Sequence, residues 1–374
     1  MVFLKRLVSV LIIFVLVLIP LNVSALSTSA KAAVVLNGDN GEIIYSQNAD
    51  TRLSMASTTK IMTGLLLCEY GNFQREITVT EEMLKVEGSS MGLLPGDRVT
   101  LHDLLYGLML ASGNDAANVI AFVLGGSLDG FVKMMNKKAD DLGLVNTNFA
   151  TPSGLDADDH YTTAYELAKI AHYAMQNDEF AKAVSSKKAV LNYGNPPYRR
   201  SLTNHNKMLN LFDGAVGIKT GFTQKSGRCL VSAAKRDGKF VIALTQHDPN
   251  DWQDHQNMLE YGLSAIKQTE YSPKFASFNI PVINGDKNEI TVNIEPITIN
   301  SLETENITDT VYLPQFVYAP VSKNDVLGTV VYKQNGEILQ EVEILANCDI
   351  KALKPLQKPI DKIIENFRII LQNF

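Results

Sequence analysis

Strand-like runs stand at both ends of a long helical block, and that order limits the folds open to the chain. From Lys31, "KAAVVLNGDNGEIIYSQNAD" gives two β-type runs around Asn37-Gly38 and Asn40-Gly41, a hairpin signal. Far downstream, "AVGIKTGFT" and "GRCLVSAAKRDGKFVIALTQH" read as strands, the last two joined at Asp237-Gly238. Between them apolar residues recur at helical spacing. Ile61, Leu65 and Cys68 share one face, with Met62 and Leu66 beside it, and Gly71 stops the helix. Pro95-Gly96 makes a turn before a helix capped near Thr100, and helices are expected over 115–124 and 128–142. "TTAYELAKIAHYAMQN" is another, capped by Thr162 or Thr163, and "DWQDHQNMLEYGLSAIK" returns to helix after the strands. Strands from both ends are expected to pair in one antiparallel sheet with helices packed around it, an α+β domain.

At 374 residues the chain exceeds one ordinary core, so a second domain is expected. Tyr271-Ser272-Pro273 marks the boundary. Beyond it come short alternating runs such as "EITVNIEPITI" and "TVYLPQFVYAP", with turns at Asn284-Gly285 and Asn335-Gly336, which read as a small β-sandwich-like module. The expected layout is a signal peptide over 1–25, a catalytic domain over 26–270, the all-β domain over 271–352 and an amphipathic helix over 353–374.

The N-terminal reading rests on basic Lys5 and Arg6, an apolar run from Leu7 to Ile19, and the small residues of Val23-Ser24-Ala25. An uncleaved anchor is the alternative; either way the mature chain is expected outside the cytoplasm. In the tail, Ile360, Ile363, Ile364, Phe367, Ile370, Leu371 and Phe374 fall on one helical face, and Asp361, Lys362, Glu365, Asn366 and Asn373 on the other. Sixteen helical residues span only ~24 Å, so an interfacial helix on a membrane surface is expected rather than a span, with docking onto the β module as the alternative. A net charge of -6 argues against a nucleic-acid partner. Three widely spaced cysteines, Cys68, Cys229 and Cys348, make no disulfide framework. The first two sit in apolar runs and read as core residues rather than nucleophiles.

"MASTTKIMTGLLL" puts Ser57 three residues before Lys60 at the start of a helix. Positions i and i+3 share a helix face, and the first turn offers free backbone N–H groups to a developing negative charge. A serine hydroxyl needs a base to become a nucleophile, and a lysine serves when burial or neighbouring cations lower its pKa. The tetrad alone fits an N-cap serine and a solvated lysine better than a catalytic pair. Two further elements add to it: Ser112-Gly113-Asn114 between two helices, and Lys219-Thr220-Gly221 on a strand. Ser-x-x-Lys, a Ser-x-Asn element and Lys-Thr-Gly in that order form the signature of class A β-lactamases and penicillin-binding proteins.

The wider stretches "NGEIIYSQNADTRLSMASTTKIMTGLL", "GSSMGLLPGDRVTLHDLLYGLMLASGNDAAN", "TPSGLDADDHYTTAYELAKIA", "LTNHNKML" and "DGAVGIKTGFTQKSGRCLVSAAKRDG" resemble the low-molecular-weight D-alanyl-D-alanine carboxypeptidases, near the sporulation-type members. The resemblance covers about residues 30 to 374, β module and tail included. It implies a serine transpeptidase-like fold and hydrolysis of the terminal D-alanine of peptidoglycan stem peptides through an acyl-enzyme on Ser57, with sensitivity to β-lactam antibiotics. It implies Lys60 as base, Ser112 as proton relay, and Asn114 as a residue that binds the substrate's side amide and orients Lys60. Lys219 would supply positive charge and Thr220 would hold the terminal carboxylate. Gly221 would let the substrate lie close to its strand, and the N–H groups of Ser57 and Phe222 would form the oxyanion hole. No metal or cofactor is required. One departure stands out. Many relatives carry an arginine after the strand that follows Lys-Thr-Gly, whereas "ALTQHDPNDWQDHQNML" offers His247, Trp252 and His255.

Three other readings remain open at this level. A β-lactamase shares the motifs, but Ile170 stands where a Glu-x-x-x-Asn deacylation element starting at Glu166 would need asparagine, and Glu166 is expected at the surface. An inactive wall-binding or scaffolding protein would keep the residues without turnover. A zinc site in "HDPNDWQDH" or "DADDH" has no defensible ligand spacing and reads as solvated loop.

Overall fold

The computed structural model describes residues 26–353. The expected signal peptide and, apart from Leu353, the expected C-terminal helix lie outside the described residues. The chain packs as two compact units. The larger holds the described chain up to Val35, Tyr45–Ala234 and Ile242–Tyr261; the smaller holds Leu36–Ile44, Lys235–Val241 and the described chain from Gly262 on.

In chain order the first elements are β1 (Ala32–Asn37), β2 (Ile43–Gln47), a 3₁₀ turn (Ala56–Thr59), α1 (Lys60–Tyr70), β3 (Glu76–Thr78), β4 (Arg98–Thr100), α2 (Leu101–Leu110), α3 (Asn114–Gly125), α4 (Leu128–Asp141), α5 (Ala164–Ala174) and α6 (Asp178–Ser185). Then come β5 (Lys188–Gly194), β6 (Pro197–Thr203), α7 (Met208–Leu211), β7 (Ala215–Thr223), β8 (Gly227–Arg236), β9 (Lys239–Gln246) and α8 (Asp251–Ala265). Five strands form the expected sheet in the order β2-β1-β9-β8-β7. Lys31 N bonds Gln246 O and Gly38 N bonds Phe240 O, which sets β1 antiparallel to β9 and joins the two ends of the block. Helix ends follow local chemistry. Thr100 and Asp103 form a capping box on α2, Thr163 caps α5 by accepting from Glu166 N, and Gly71 ends α1 at φ +68°.

A second sheet, ordered β3-β4-β5-β6, goes beyond what the sequence pattern predicted. Its hairpin β5–β6 pairs Lys188 with Thr203 through to Gly194 with Pro197. The segment is rich in Pro, Arg and Asn, and only Leu191, Tyr193, Gly194 and Leu202 are buried along it, so its apolar signal is weak. Tyr193 anchors it by donating its hydroxyl to Met91 O at 2.7 Å.

The smaller unit is all-β from Lys267 on. It contains β10 (Lys267–Tyr271), β11 (Ser277–Ile283), β12 (Glu289–Asn293), β13 (Ile297–Ser301), β14 (Ile307–Tyr312), β15 (Val317–Tyr318), β16 (Val326–Gln334) and β17 (Glu337–Leu345). The sheets run β10-β13, β12-β11-β15 and β14-β16-β17. Alternate residues such as Ile280, Val282, Ile290, Val292, Val330 and Tyr332 fill one apolar core, as period-2 patterning requires.

Asp115, at the start of α3, is buried and gathers the loop before β4. Its carboxylate accepts from Met91 N at 3.0 Å, Gly92 N at 3.1 Å, Leu93 N at 3.1 Å and Ser90 Oγ at 2.5 Å. This fixes the segment that carries Ser89, whose carbonyl in turn accepts from Asn114 N at 2.7 Å. Asp115→Ala strands three backbone donors and is expected to cost on the order of 3 kcal/mol in a denaturant titration. A loss below about 1 kcal/mol would show that the loop is held by other means.

Candidate active site

The nucleophile turn is set by backbone strain and hydroxyl bonds rather than by a regular α-helical first turn. Ser57, expected in the first turn of the helix, lies in the 3₁₀ turn, and the α-helix begins at Lys60. In a 3₁₀ turn positions i and i+3 eclipse, so the Ser57–Lys60 pairing is tightened. Ala56, just before Ser57, has φ +47°, and Ser112 has φ +56°, both in the left-handed region that non-glycine residues seldom adopt. Thr58 Oγ1 donates to Met55 O at 2.5 Å and Thr59 Oγ1 to Ala56 O at 2.8 Å.

His160 braces this turn. Its Nδ1 accepts from Ala150 N at 2.9 Å, so Nε2 carries the proton and faces Thr59 Oγ1 at 2.7 Å. Burial pushes its pKa down to about 4, which keeps it neutral. "DADDH" is therefore no solvated loop at His160: its histidine is a buried strut. His255, in the other His/Asp segment, is likewise buried, between Ser232 Oγ at 2.5 Å and Thr245 Oγ1 at 3.0 Å. Among the described residues no group of three or more His, Cys, Asp or Glu is arranged to hold a metal ion.

Two glycines let neighbouring segments touch the turn. A Cβ on Gly154, at φ +89°, would lie 1.9 Å from Ala56 O. A Cβ on Gly221 would meet Ser57 N and Thr58 N at 3.1 Å. The closeness at Gly221 is thus required by the protein's own nucleophile turn, as well as by any ligand on the strand.

Lys60 is completely buried. Its Nζ lies 2.9 Å from Ser57 Oγ, 2.7 Å from Asn114 Oδ1 and 2.5 Å from Ser153 O. Two of these partners are carbonyl oxygens and can only accept; the third is a hydroxyl, which can also donate. Three oxygen partners satisfy an ammonium as well as a neutral amine whose lone pair faces the Ser57 proton; burial and the nearby Lys219 decide for the neutral form. Burial, then the charge of Lys219, lowers the Lys60 pKa well below the ordinary lysine value, against an opposing pull from Asp115. Lys219 is also buried, with its pKa pushed down by burial to about 7, and donates to Thr220 O at 2.9 Å. Asn114 spends its Nδ2 on Glu87 O at 2.6 Å, so both ends of its amide are engaged inside the protein.

A cleft of about 300 Å³ opens over the turn. Ser57, Ser112, Thr220, Gly221 and Phe222 line it, while Lys60, Asn114 and Lys219 are buried. The structure therefore brings all eight sequence-predicted residues to one place. It adds Ser89, His205, Arg228, Asp251 and Trp252 to the lining, none of them among the expected site residues. Burial and the Lys219 charge lower the His205 pKa. Cys68 and Cys229 are buried and stay out of the cleft lining; burial pushes both thiols up to about 12. Glu166 corrects an expectation. It is buried, and its carboxylate accepts from Asn146 N at 2.9 Å and Thr147 Oγ1 at 2.6 Å, so it holds a loop rather than facing solvent.

Comparison with known proteins agrees with the resemblance read from the motifs. Residues 20–250 match the peptidase S11 family, D-alanyl-D-alanine carboxypeptidase, and residues 274–352 match the C-terminal domain of penicillin-binding protein 5. The chain is 32% identical over 342 residues to the D-alanyl-D-alanine carboxypeptidase DacF of Bacillus subtilis, covering 88% of this chain and 87% of that protein. It is 27% identical over 355 residues to the D-alanyl-D-alanine carboxypeptidase DacA of Escherichia coli, covering 89% and 87%. Among solved structures, penicillin binding protein 5 from Haemophilus influenzae aligns over 88% of this chain and 99% of its own, with a TM-score of 0.63 at 25% identity. The Streptomyces K15 DD-transpeptidase aligns over 65% and 100%, with a TM-score of 0.62 at 32% identity.

The buried Lys219 makes a signed prediction. Between about 7 and the ordinary lysine value of 10.5 the folded protein binds fewer protons there than the unfolded chain. Its cost to stability is therefore full below about 7 and fades as pH rises toward 10.5. Lys219→Met should raise the Tm at pH 6 by at least about 2–4 °C, the effect of about 1 kcal/mol in a domain of this size, and the gain should shrink by pH 10. A pH-independent gain in calorimetry would mean that Lys219 titrates normally.

Proposed function

The chain belongs to the D-alanyl-D-alanine carboxypeptidase family, and we propose from it that the cleft removes the terminal D-alanine from peptidoglycan stem peptides by serine acyl transfer. The observation that carries this reading is the hydrogen-bond set of Lys60, two acceptors plus the Ser57 hydroxyl, which prepares a neutral base against its nucleophile.

Ser57 Oγ attacks the carbonyl carbon of the penultimate D-alanine while its proton passes to Lys60 Nζ. The new C–O bond forms and negative charge gathers on the carbonyl oxygen, where the N–H groups of Ser57 and Phe222 receive it. The C–N bond to the terminal D-alanine then breaks. Ser112, on the cleft wall, hands its proton to the leaving amine and takes in return the proton that Lys60 received from Ser57, so Lys60 is neutral again; the charge on Lys219 keeps it neutral in the resting enzyme. Water attacks the Ser57 ester, releases the shortened peptide and restores the hydroxyl. Thr220 takes part in holding the terminal carboxylate. Asn114 orients Lys60 through Oδ1 and is anchored on Glu87 O through one Nδ2 hydrogen, which leaves its second N–H and a lone pair on Oδ1 for the substrate's side amide. A β-lactam would acylate Ser57 by the same attack. Lactamase turnover is disfavoured, because the Glu166 carboxylate is occupied by the 146–147 loop.

The catalytic domain over 26–270, the all-β domain over 271–352, export through residues 1–25 and a membrane-surface location through 353–374 belong to the same proposal. They rest on the sequence pattern, and the family's substrate lies outside the cytoplasm.

Two measurements test these assignments. Labelled penicillin should acylate the purified protein and a pentapeptide ending in D-Ala-D-Ala should release D-alanine, while Ser57→Ala should abolish both. Labelling that survives in that variant would remove Ser57 as nucleophile, and labelling of the wild type without D-alanine release would favour an inactive scaffold. Deleting residues 356–374 should free the mature protein from membranes with activity retained. Continued membrane association would point instead to the N-terminal segment.

A further inference from the structure

The arginine that many relatives carry beyond this strand is missing here, and the residues in its place do not supply a cation to the cleft. His255 is buried between Ser232 and Thr245 with its pKa pushed down to about 3, and His247 is absent from the cleft lining. A guanidinium reaches the same cleft from a different strand. Arg228, near the start of β8, lines it together with Ser57 and Thr220.

The β7–β8 register explains how. Phe222 pairs with Arg228 and Thr220 pairs with Leu230, so Arg228 is the diagonal neighbour of Thr220 on one face of the sheet. Diagonal neighbours stand about 7–8 Å apart, within reach of a long side chain. The guanidinium is also held. Arg228 Nη2 lies 2.8 Å from Asp251 Oδ1, and its Cζ sits 5.5 Å from the Trp252 ring centroid. Asp251 is buried, its side chain 5% exposed, whereas the Arg228 side chain is 42% exposed. One edge of the fork is thus tied to a buried carboxylate, one face lies against an indole, and part of the group remains open. A guanidinium has five N–H donors in a planar fork, enough to serve Asp251 and a second carboxylate together.

We propose that Arg228 is the specificity-determining cation of this enzyme: with Thr220 it binds the free α-carboxylate of the substrate's terminal residue, and Asp251 and Trp252 position it. The inference rests on the carboxypeptidase reading and adds a residue to it that the family motifs do not contain. It also assigns the cleft's selectivity to exopeptidase substrates, since an internal peptide bond presents no carboxylate there.

The test compares Arg228→Gln and Arg228→Lys with the wild type, using a peptide ending in D-Ala-D-Ala and the same peptide with a terminal carboxamide. The wild type should prefer the free acid. Arg228→Gln should lose roughly 10- to 100-fold in kcat/KM on the free acid, the range for one charge-assisted pair, and change less than about twofold on the carboxamide. Arg228→Lys should recover part of the loss. Equal loss on both peptides would make Arg228 a structural residue, and no loss on either would leave the carboxylate to Thr220 and Lys219; both results overturn the proposal. Acylation by benzylpenicillin against its methyl ester gives a second readout with the same expected pattern. An enzyme that reacts with penicillin but releases no D-alanine would count against the carboxypeptidase reading, and the penicillin arm would still decide the role of Arg228.

Discussion

A fully buried amine with two carbonyl oxygens and one hydroxyl around it is the constraint on which the catalytic unit depends. Moving an ammonium out of water costs several kcal/mol unless partners replace its hydration. Lys60 avoids most of that cost by having partners for a neutral amine: Asn114 Oδ1 and Ser153 O take its two hydrogens, and the Ser57 hydroxyl faces its lone pair. Each partner comes from a different part of the chain, so a large share of the fold serves to deliver them. Helix α3 brings Asn114, whose other amide end is pinned to Glu87 O. The 151–155 loop brings Ser153 O and is tied to α1 by Thr63 Oγ1 on Pro152 O at 2.6 Å. Strand β7 brings Lys219, whose burial beside Lys60 leaves little room for two charges.

Strain is concentrated where these segments meet. Ala56 and Ser112 hold left-handed backbone beside the nucleophile and in the cleft wall, conformations that cost of order 1–3 kcal/mol each and persist only when neighbours over-determine them. The neighbours are visible. Gly154 lies against Ala56 O without room for a Cβ, the Thr59–His160–Ala150 chain of bonds holds the same carbonyl from inside, and Gly221 closes over the N–H groups of Ser57 and Thr58. The Ser57 hydroxyl is therefore fixed before any substrate arrives, which is the form in which binding energy can be spent on the transition state.

What the sequence made legible were features encoded over short spans. Helical spacing located α1 to α5, turn dipeptides located the β1–β2 and β8–β9 hairpins, and three short motifs named seven of the eight residues that converge, Phe222 coming from the family resemblance. Features made by long-range polar contacts were hidden. The β5–β6 hairpin carries little apolar alternation and is anchored by one tyrosine hydroxyl on a distant carbonyl. Glu166 and His160 look like surface residues in one dimension and become buried struts only when the 146–150 segment folds onto them. Arg228 reads as an unremarkable strand residue until register sets it diagonal to Thr220 and the first turn of α8 brings Asp251 and Trp252 beside it.

The two lysines also connect recognition to chemistry. Lys219, with its pKa pushed down by burial to about 7, holds its proton loosely at neutral pH, and its charge adds to burial in depressing Lys60. A carboxylate bound at Thr220 and Arg228 adds a negative charge near Lys219, which favours the protonated form there. A more fully charged Lys219 disfavours a second proton on Lys60 while the carboxylate itself favours one, so arrival of the chain end is coupled to the protonation of the base. A peptide without that carboxylate contributes nothing to this balance. In such a site, selectivity for a free carboxylate bears on the acylation step as well as on affinity, because the charges that position the substrate also act on the protonation of the base that activates Ser57.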